Sequence, residues 1–176
     1  IFKKHKNANY LINLHGMNDH IEKQRKIKNN DKEVFMSYYM NNVFSVYLTN
    51  KYFIKFCNQG KGIVNFASMY GMMSPKHFIY DKPKDIFYVS SKFSVIGLTK
   101  YFASLYGKKV NVNCIVNGGV LHNQPQNFIT KINQHIPKKR MMNVSDLFGM
   151  LELLCSDKSK YINGSSIVID GGYSSW

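Results

Sequence analysis

Four short apolar runs, at residues 10–14, 62–67, 110–116 and 165–170, read as strands. Longer stretches with helical period lie between them. The clearest starts at Tyr88 and continues through Phe93, Val95, Ile96, Leu98, Phe102, Ala103 and Leu105, a spacing that gathers one helix face. Residues 34–56 are rich in aromatics but interrupted by Asn41, Asn42, Asn50 and Lys51, so they read as a buried amphipathic helix and not as a membrane span. Alternating strand-like and helix-like segments predict an α/β domain. With 44% hydrophobic residues, 176 residues suffice for one core, and no repeat, low-complexity tract or linker divides them.

Within this pattern, a tyrosine followed four residues later by lysine occurs at Tyr47/Lys51, Tyr80/Lys84 and Tyr88/Lys92. With 12 Tyr and 22 Lys, one or two such pairs are expected by chance, so context has to select among them. Tyr47 reads as core and Lys51 as solvated. Tyr80 follows Ser68 by 12 residues, but Pro83 stands just before Lys84 and argues against a shared helical turn. Tyr88 and Lys92 open the periodic run and lie one turn apart on one face. A phenol titrates near pH 10, and a fixed ammonium one turn away favours its anion. Ser68, at the end of an apolar strand-like run, adds a second hydroxyl for a substrate oxygen.

The segments Gly62-Ile-Val-Asn-Phe-Ala-Ser68-Met-Tyr-Gly71, Tyr88-Val-Ser-Ser-Lys92, Val110-Asn-Val-Asn-Cys114 and Asn163-Gly-Ser-Ser-Ile-Val-Ile-Asp-Gly-Gly172 stand in an order that resembles the short-chain dehydrogenase/reductase family. The resemblance implies a doubly wound Rossmann-type parallel sheet, of which this chain supplies the C-terminal portion, strands four to seven with flanking helices, as a single partial domain over residues 1–176. It implies NAD or NADP as cofactor and interconversion of a hydroxyl and a carbonyl on a small molecule. Carried across, the catalytic tetrad is Asn42, Ser68, Tyr88 and Lys92: Tyr88 the acid/base, Lys92 its pKa modulator and ribose contact, Ser68 the substrate-oxygen donor and Asn42 the holder of a water. The resemblance further implies that Asn13, Gly16, Tyr88, Lys92, Gly118 and Val120 border the cofactor, that the segment from there to Arg140 forms a substrate lid, and that the complete protein is a homodimer or homotetramer; a cytoplasmic location is expected.

The chain departs from the family pattern at several points. Asn13-Leu-His-Gly16 stands where the family has Asn-Asn-Ala-Gly, and Asn117-Gly118 where it has Pro-Gly. The 20 residues from Ser68 to Tyr88 exceed the usual interval by an extra piece at residues 72–80, and this longer interval together with Gly118-Gly-Val-Leu-His-Asn-Gln124 is similar to reductases of the flagellin-modification and nonulosonic-acid sugar branch. No Gly-x-x-x-Gly-x-Gly turn occurs, so the half that cradles the pyrophosphate and selects NAD or NADP is expected to be missing. The expectation is a marginal domain with an open edge at residues 10–14 and poor nicotinamide affinity.

The net charge of +14 raises the alternative of a polyanion binder. Only Arg25 and Arg140 among 24 basic residues are arginine, which argues against nucleic acid as partner, and no signal peptide or membrane segment is read. The run Lys23, Arg25, Lys26, Lys28 and Lys32 is diluted by Glu22 and Asp31 and reads as surface. Cys57, Cys114 and Cys155 are isolated, and the six histidines form no metal-ligand pattern, His15 and His122 being the two near the presumed cofactor site. A second class of function also fits, an inactive interaction module using the helices around residues 43–56 and 93–106.

Overall fold

The computed structural model describes residues 1–18 and 31–175. Four parallel strands, β1 (Tyr10–Asn13), β2 (Gly62–Phe66), β3 (Asn111–Asn117) and β4 (Ser166–Ile169), pair in chain order. The register sets Tyr10 against Gly62, Gly62 against Asn111, and Cys114 against Ser166. These are the four runs that the apolar pattern singled out.

The central strands have the continuous apolar character of strands covered on both faces. Ile63, Val112, Cys114 and Val116 point to one side, where α2 (Ser45–Phe56) and α3 (Ile86–Tyr106) supply Val46, Phe53, Ile54, Val95, Phe102 and Ala103. Val64, Phe66 and Ile115 point to the other and meet Met142, Leu147 and Leu154, the last from α5 (Phe148–Leu154). Helices on both faces of a parallel sheet make this the expected α/β arrangement. Edge strand β1 carries Ile12 at 40% exposure, with Leu14 beyond it at 64%, so the edge anticipated at residues 10–14 lies open among the described residues.

The predicted helix over residues 34–56 is divided. It comprises α1 (Asp31–Tyr39), a π-helical turn at Met40–Phe44, and α2. The wide turn admits one extra residue and presents buried Asn42 inward. Of the basic run, Lys32 lies in α1, and Lys23, Arg25, Lys26 and Lys28 fall outside the described residues.

A chain of buried side-chain amides joins the layers. Asn13 Nδ2 donates to Asn50 Oδ1 and Asn65 Oδ1, both at 2.8 Å, and Asn65 Nδ2 donates to Thr99 Oγ1 at 3.0 Å. Thr99 in turn donates to the Val95 carbonyl. Asn50, Asn65 and Thr99 are fully buried, so β1, α2, β2 and α3 are cross-linked by buried polar bonds, which are strong in the interior and costly to lose. α4 (Gln126–Gln134) completes the helices, in the segment that follows β3.

Candidate active site

Ser68 lies just past the C-terminal end of β2, the end at which parallel α/β sheets place their ligands. Its Oγ accepts the Tyr70 amide at 3.2 Å and caps a single 3₁₀ turn, Met69–Gly71. That turn sits directly on α3: a Cβ at Gly71 would come within 2.7 Å of the Lys92 carbonyl oxygen, a contact that backbone cannot yield to cheaply. Gly71→Ala is therefore expected to push the Ser68 turn off the helix, with a loss of about 1–3 kcal/mol measurable by urea denaturation.

Opposite this turn, α3 begins at Asp85, whose buried carboxylate accepts the Phe87 amide at 2.7 Å as an N-cap. The cap fixes the helical phase, and Tyr88, Ser91 and Lys92 face inward, 8%, 0% and 7% exposed. Tyr88 packs edge-on against Tyr38. Burial pushes the Tyr88 pKa up, and the Ser68 hydroxyl opposes this only in part. This corrects the expectation that Lys92 sets the phenol toward its anion. The Lys92 ammonium stands 5.9 Å from the ring centroid and donates instead to the Phe66 carbonyl at 3.2 Å, and burial lowers its own pKa. Burial is the larger influence on the phenol, and a pKa above the ordinary tyrosine value keeps Tyr88 protonated at neutral pH.

Asn42 closes the site from the π turn. Its Oδ1 accepts the Met17 amide at 2.5 Å, while its Nδ2 donates to the Met17 carbonyl at 2.9 Å and to Ser91 Oγ at 3.0 Å. Ser91 Oγ donates to the Tyr88 carbonyl at 2.7 Å. Asn42 thus clasps the segment after β1 to the helix carrying Tyr88 and Lys92. Asn42 Oδ1 and Lys92 Nζ both approach Gly16, and Lys92 lies one helical turn from Tyr88 on α3.

The residues assigned to the cofactor separate into two kinds. At Gly16 a Cβ would lie 3.2 Å from Lys92 Nζ and 3.5 Å from Asn42 Oδ1, so the missing side chain keeps the chain close to the lysine. Lys92 has the Phe66 carbonyl as its acceptor, leaving ammonium hydrogens available for a vicinal diol, and in this respect the site fits the ribose of a nicotinamide cofactor. Asn13, by contrast, spends its side chain in the buried amide network, and Gly118 is small because Asp170 Cα would meet its Cβ at 2.9 Å. Val120 bridges to Met142. His15 Nε2 lies 2.7 Å from Ser45 Oγ, and partial burial together with Lys92 holds its pKa below the ordinary imidazole value. His122 is exposed on the loop after β3.

The extra segment after Ser68 folds onto the core through Ile79 and Tyr80. Tyr70 Oη lies 2.5 Å from Tyr80 Oη and 3.4 Å from Tyr173 Oη, which ties this segment to the C-terminal turn. A cavity of about 230 Å³ adjoins, lined by Met69, Gly118, Gly119, Asp170 and Tyr173 among others; Ser68 and Tyr88 are not part of its wall. One site residue was passed over in the sequence. Lys84, set aside because Pro83 separates it from Tyr80, curls over the Tyr88 ring with its ammonium 4.7 Å from the centroid. The second Tyr/Lys spacing had flagged it, though not the ring it would reach.

Comparison with known proteins agrees with this geometry. The family model described as enoyl-(acyl carrier protein) reductase matches residues 1–174. The post-translational flagellin modification protein A of Campylobacter coli is 30% identical over 132 residues, covering 72% of this chain and 52% of that protein. The 2-dehydro-3-deoxy-D-gluconate 5-dehydrogenase of Escherichia coli is 34% identical over 134 residues, covering 70% of this chain and 48% of that protein. A solved short chain dehydrogenase from Leptospira borgpetersenii, with bound NAD+, superimposes with a TM-score of 0.82 at 30% identity, over 97% of this chain and 66% of that one. The chain therefore spans about half the length of these two curated relatives. From its first strand to its C-terminal turn, the chain belongs to the short-chain dehydrogenase/reductase family.

Proposed function

We propose that this chain carries the proton-transfer centre of an NAD- or NADP-dependent oxidoreductase that interconverts a hydroxyl and a carbonyl on a small, sugar-like substrate. The observation that carries the reading is the burial of Ser68 and Tyr88, with the Lys92 ammonium 5.9 Å from the Tyr88 ring, at the C-terminal end of a parallel sheet. In carbonyl reduction the Tyr88 hydroxyl gives its proton to the substrate oxygen while the Ser68 hydroxyl donates a hydrogen bond to the same oxygen. When bound, the nicotinamide supplies the hydride to the carbonyl carbon, and in the reverse direction accepts it. Lys92 holds the ribose and stabilises the phenolate left behind after proton transfer.

The sugar-like substrate is supported by the flagellin-modification and gluconate relatives. Assembly through α2 and α3 is supported by the exposure of Tyr52, Phe93, Tyr101 and Leu105 on those helices. No described helix is long and apolar enough to cross a membrane. The reading is tested by following NADH and NADPH absorbance with keto-sugar substrates. Ser68→Ala is expected to lower turnover roughly 100-fold, as for loss of one preorganised donor to the reacting oxygen. Turnover undiminished in Ser68→Ala would remove Ser68 from the mechanism.

A further inference from the structure

Lys84 has no task in the proton transfer just described, yet its position is specific. Its ammonium is 4.7 Å from the Tyr88 ring centroid and 5.9 Å from that of Tyr80, so two lysines flank the phenol, and Lys84 is the nearer. Lys92 is occupied on the sheet side, by the Phe66 carbonyl and close to Gly16. Lys84, between the extra segment and α3, donates to Asn18 Oδ1, a neutral acceptor, at 2.5 Å.

Asp85, adjacent in sequence, is turned into the helix cap on Phe87, and Asp81 is paired with Lys131. Among the described residues, none forms an ion pair with Lys84. Burial lowers its pKa, and the attraction of Asp85 offsets this only in part. A half-buried ammonium with no counter-ion is unfavourable until an anion reaches it. A single ammonium suits one carboxylate, whereas phosphate sites gather several donors.

We propose that Lys84 binds a carboxylate of the substrate, placing the reacting carbonyl over Ser68 and Tyr88 and the acid group beyond the Tyr88 ring. The substrate class is then an acidic sugar, such as an aldonate or keto-aldonate. This inference rests on the oxidoreductase reading of the same site. It gives the stretch between Ser68 and Tyr88 a purpose, that of carrying the specificity lysine to the Tyr88 ring.

The test is calorimetric titration of the full chain with D-gluconate and with D-glucitol, which share a polyol skeleton and differ in the carboxylate, in the presence of NAD+ and then NADP+. Gluconate is expected to bind roughly 10- to 100-fold tighter, the range for one charged hydrogen bond. Lys84→Met, its fold checked by thermal melt, is expected to level the two affinities, and Lys84→Arg to restore most of the preference. Tyr88→Phe keeps the ring and is expected to keep the preference. No binding of gluconate, equal binding of both polyols by the unmodified chain, or a preference that survives in folded Lys84→Met overturns the proposal. Gluconate preference with no nicotinamide-dependent turnover of any carbonyl compound would overturn the oxidoreductase reading alone. Turnover without the preference would overturn the role of Lys84 alone.

Discussion

Replacing Tyr88 by phenylalanine is expected to lower turnover by about 10²–10⁴-fold while leaving the fold intact, the range for removal of a positioned acid/base. The ring is 8% exposed and packs edge-on to Tyr38, and both features survive the substitution. What is lost is the hydroxyl assigned to the proton transfer. The matched control is Tyr80→Phe. Its hydroxyl bonds to Tyr70 in a cluster that fastens the extra segment, so the expected cost is about 1 kcal/mol of stability and a far smaller change in rate. Nicotinamide absorbance and thermal melts on the two variants separate these roles. Abolished turnover in Tyr80→Phe with retained turnover in Tyr88→Phe would transfer the catalytic role to the other spacing.

A second large effect concerns stability and lies away from the catalytic groups. Asn65→Leu is expected to destabilise the domain by roughly 3 kcal/mol, because each buried partner left unpaired costs about 1–3 kcal/mol. Asn65 is fully buried in β2, accepts from Asn13 and donates to Thr99. Leucine is close in size but satisfies neither partner. The Asn13 amide keeps only Asn50, and the Thr99 oxygen loses a donor. The shift in urea midpoint at constant m-value measures the effect. A change below about 1 kcal/mol would show that water replaces the lost bonds and that the interior is wetter than the burial indicates.

The strands were legible because β2 and β3 are covered on both faces and so read as unbroken apolar runs. Tyr88 and Lys92 were legible because their one-turn spacing opens a long periodic helix. The features not legible all depend on contacts between distant residues. Nothing local in residues 34–56 signals the π turn, which accompanies the clasp of Asn42 on Met17, 25 residues away. Asn13 resembles a cofactor-wall residue in sequence, but its partners are Asn50 and Asn65. Pro83 argued correctly against a helical turn joining Tyr80 to Lys84, and residues 80–85 form no helix. It could not say that the loop returns Lys84 to the Tyr88 ring. The direction of the Tyr88 shift was also hidden, since spacing locates Lys92 and says nothing of how deeply the phenol is buried.

The protonated state of Tyr88 is the central claim, and the pH profile of carbonyl reduction tests it most directly. The buried phenol titrates above its ordinary value of 10.0, so its proton is present throughout the neutral range and lost only as pH rises through that elevated pKa. Reduction measured as kcat/KM with a keto-sugar and NADH or NADPH is therefore expected to show no loss from an acid titrating between pH 6 and 9. It is expected to fall only above about pH 10, a limb absent from the residual rate of Tyr88→Phe. A loss of activity centred near neutral pH, present in the unmodified chain and absent in Tyr88→Phe, would show the phenol ionising there and would contradict the account.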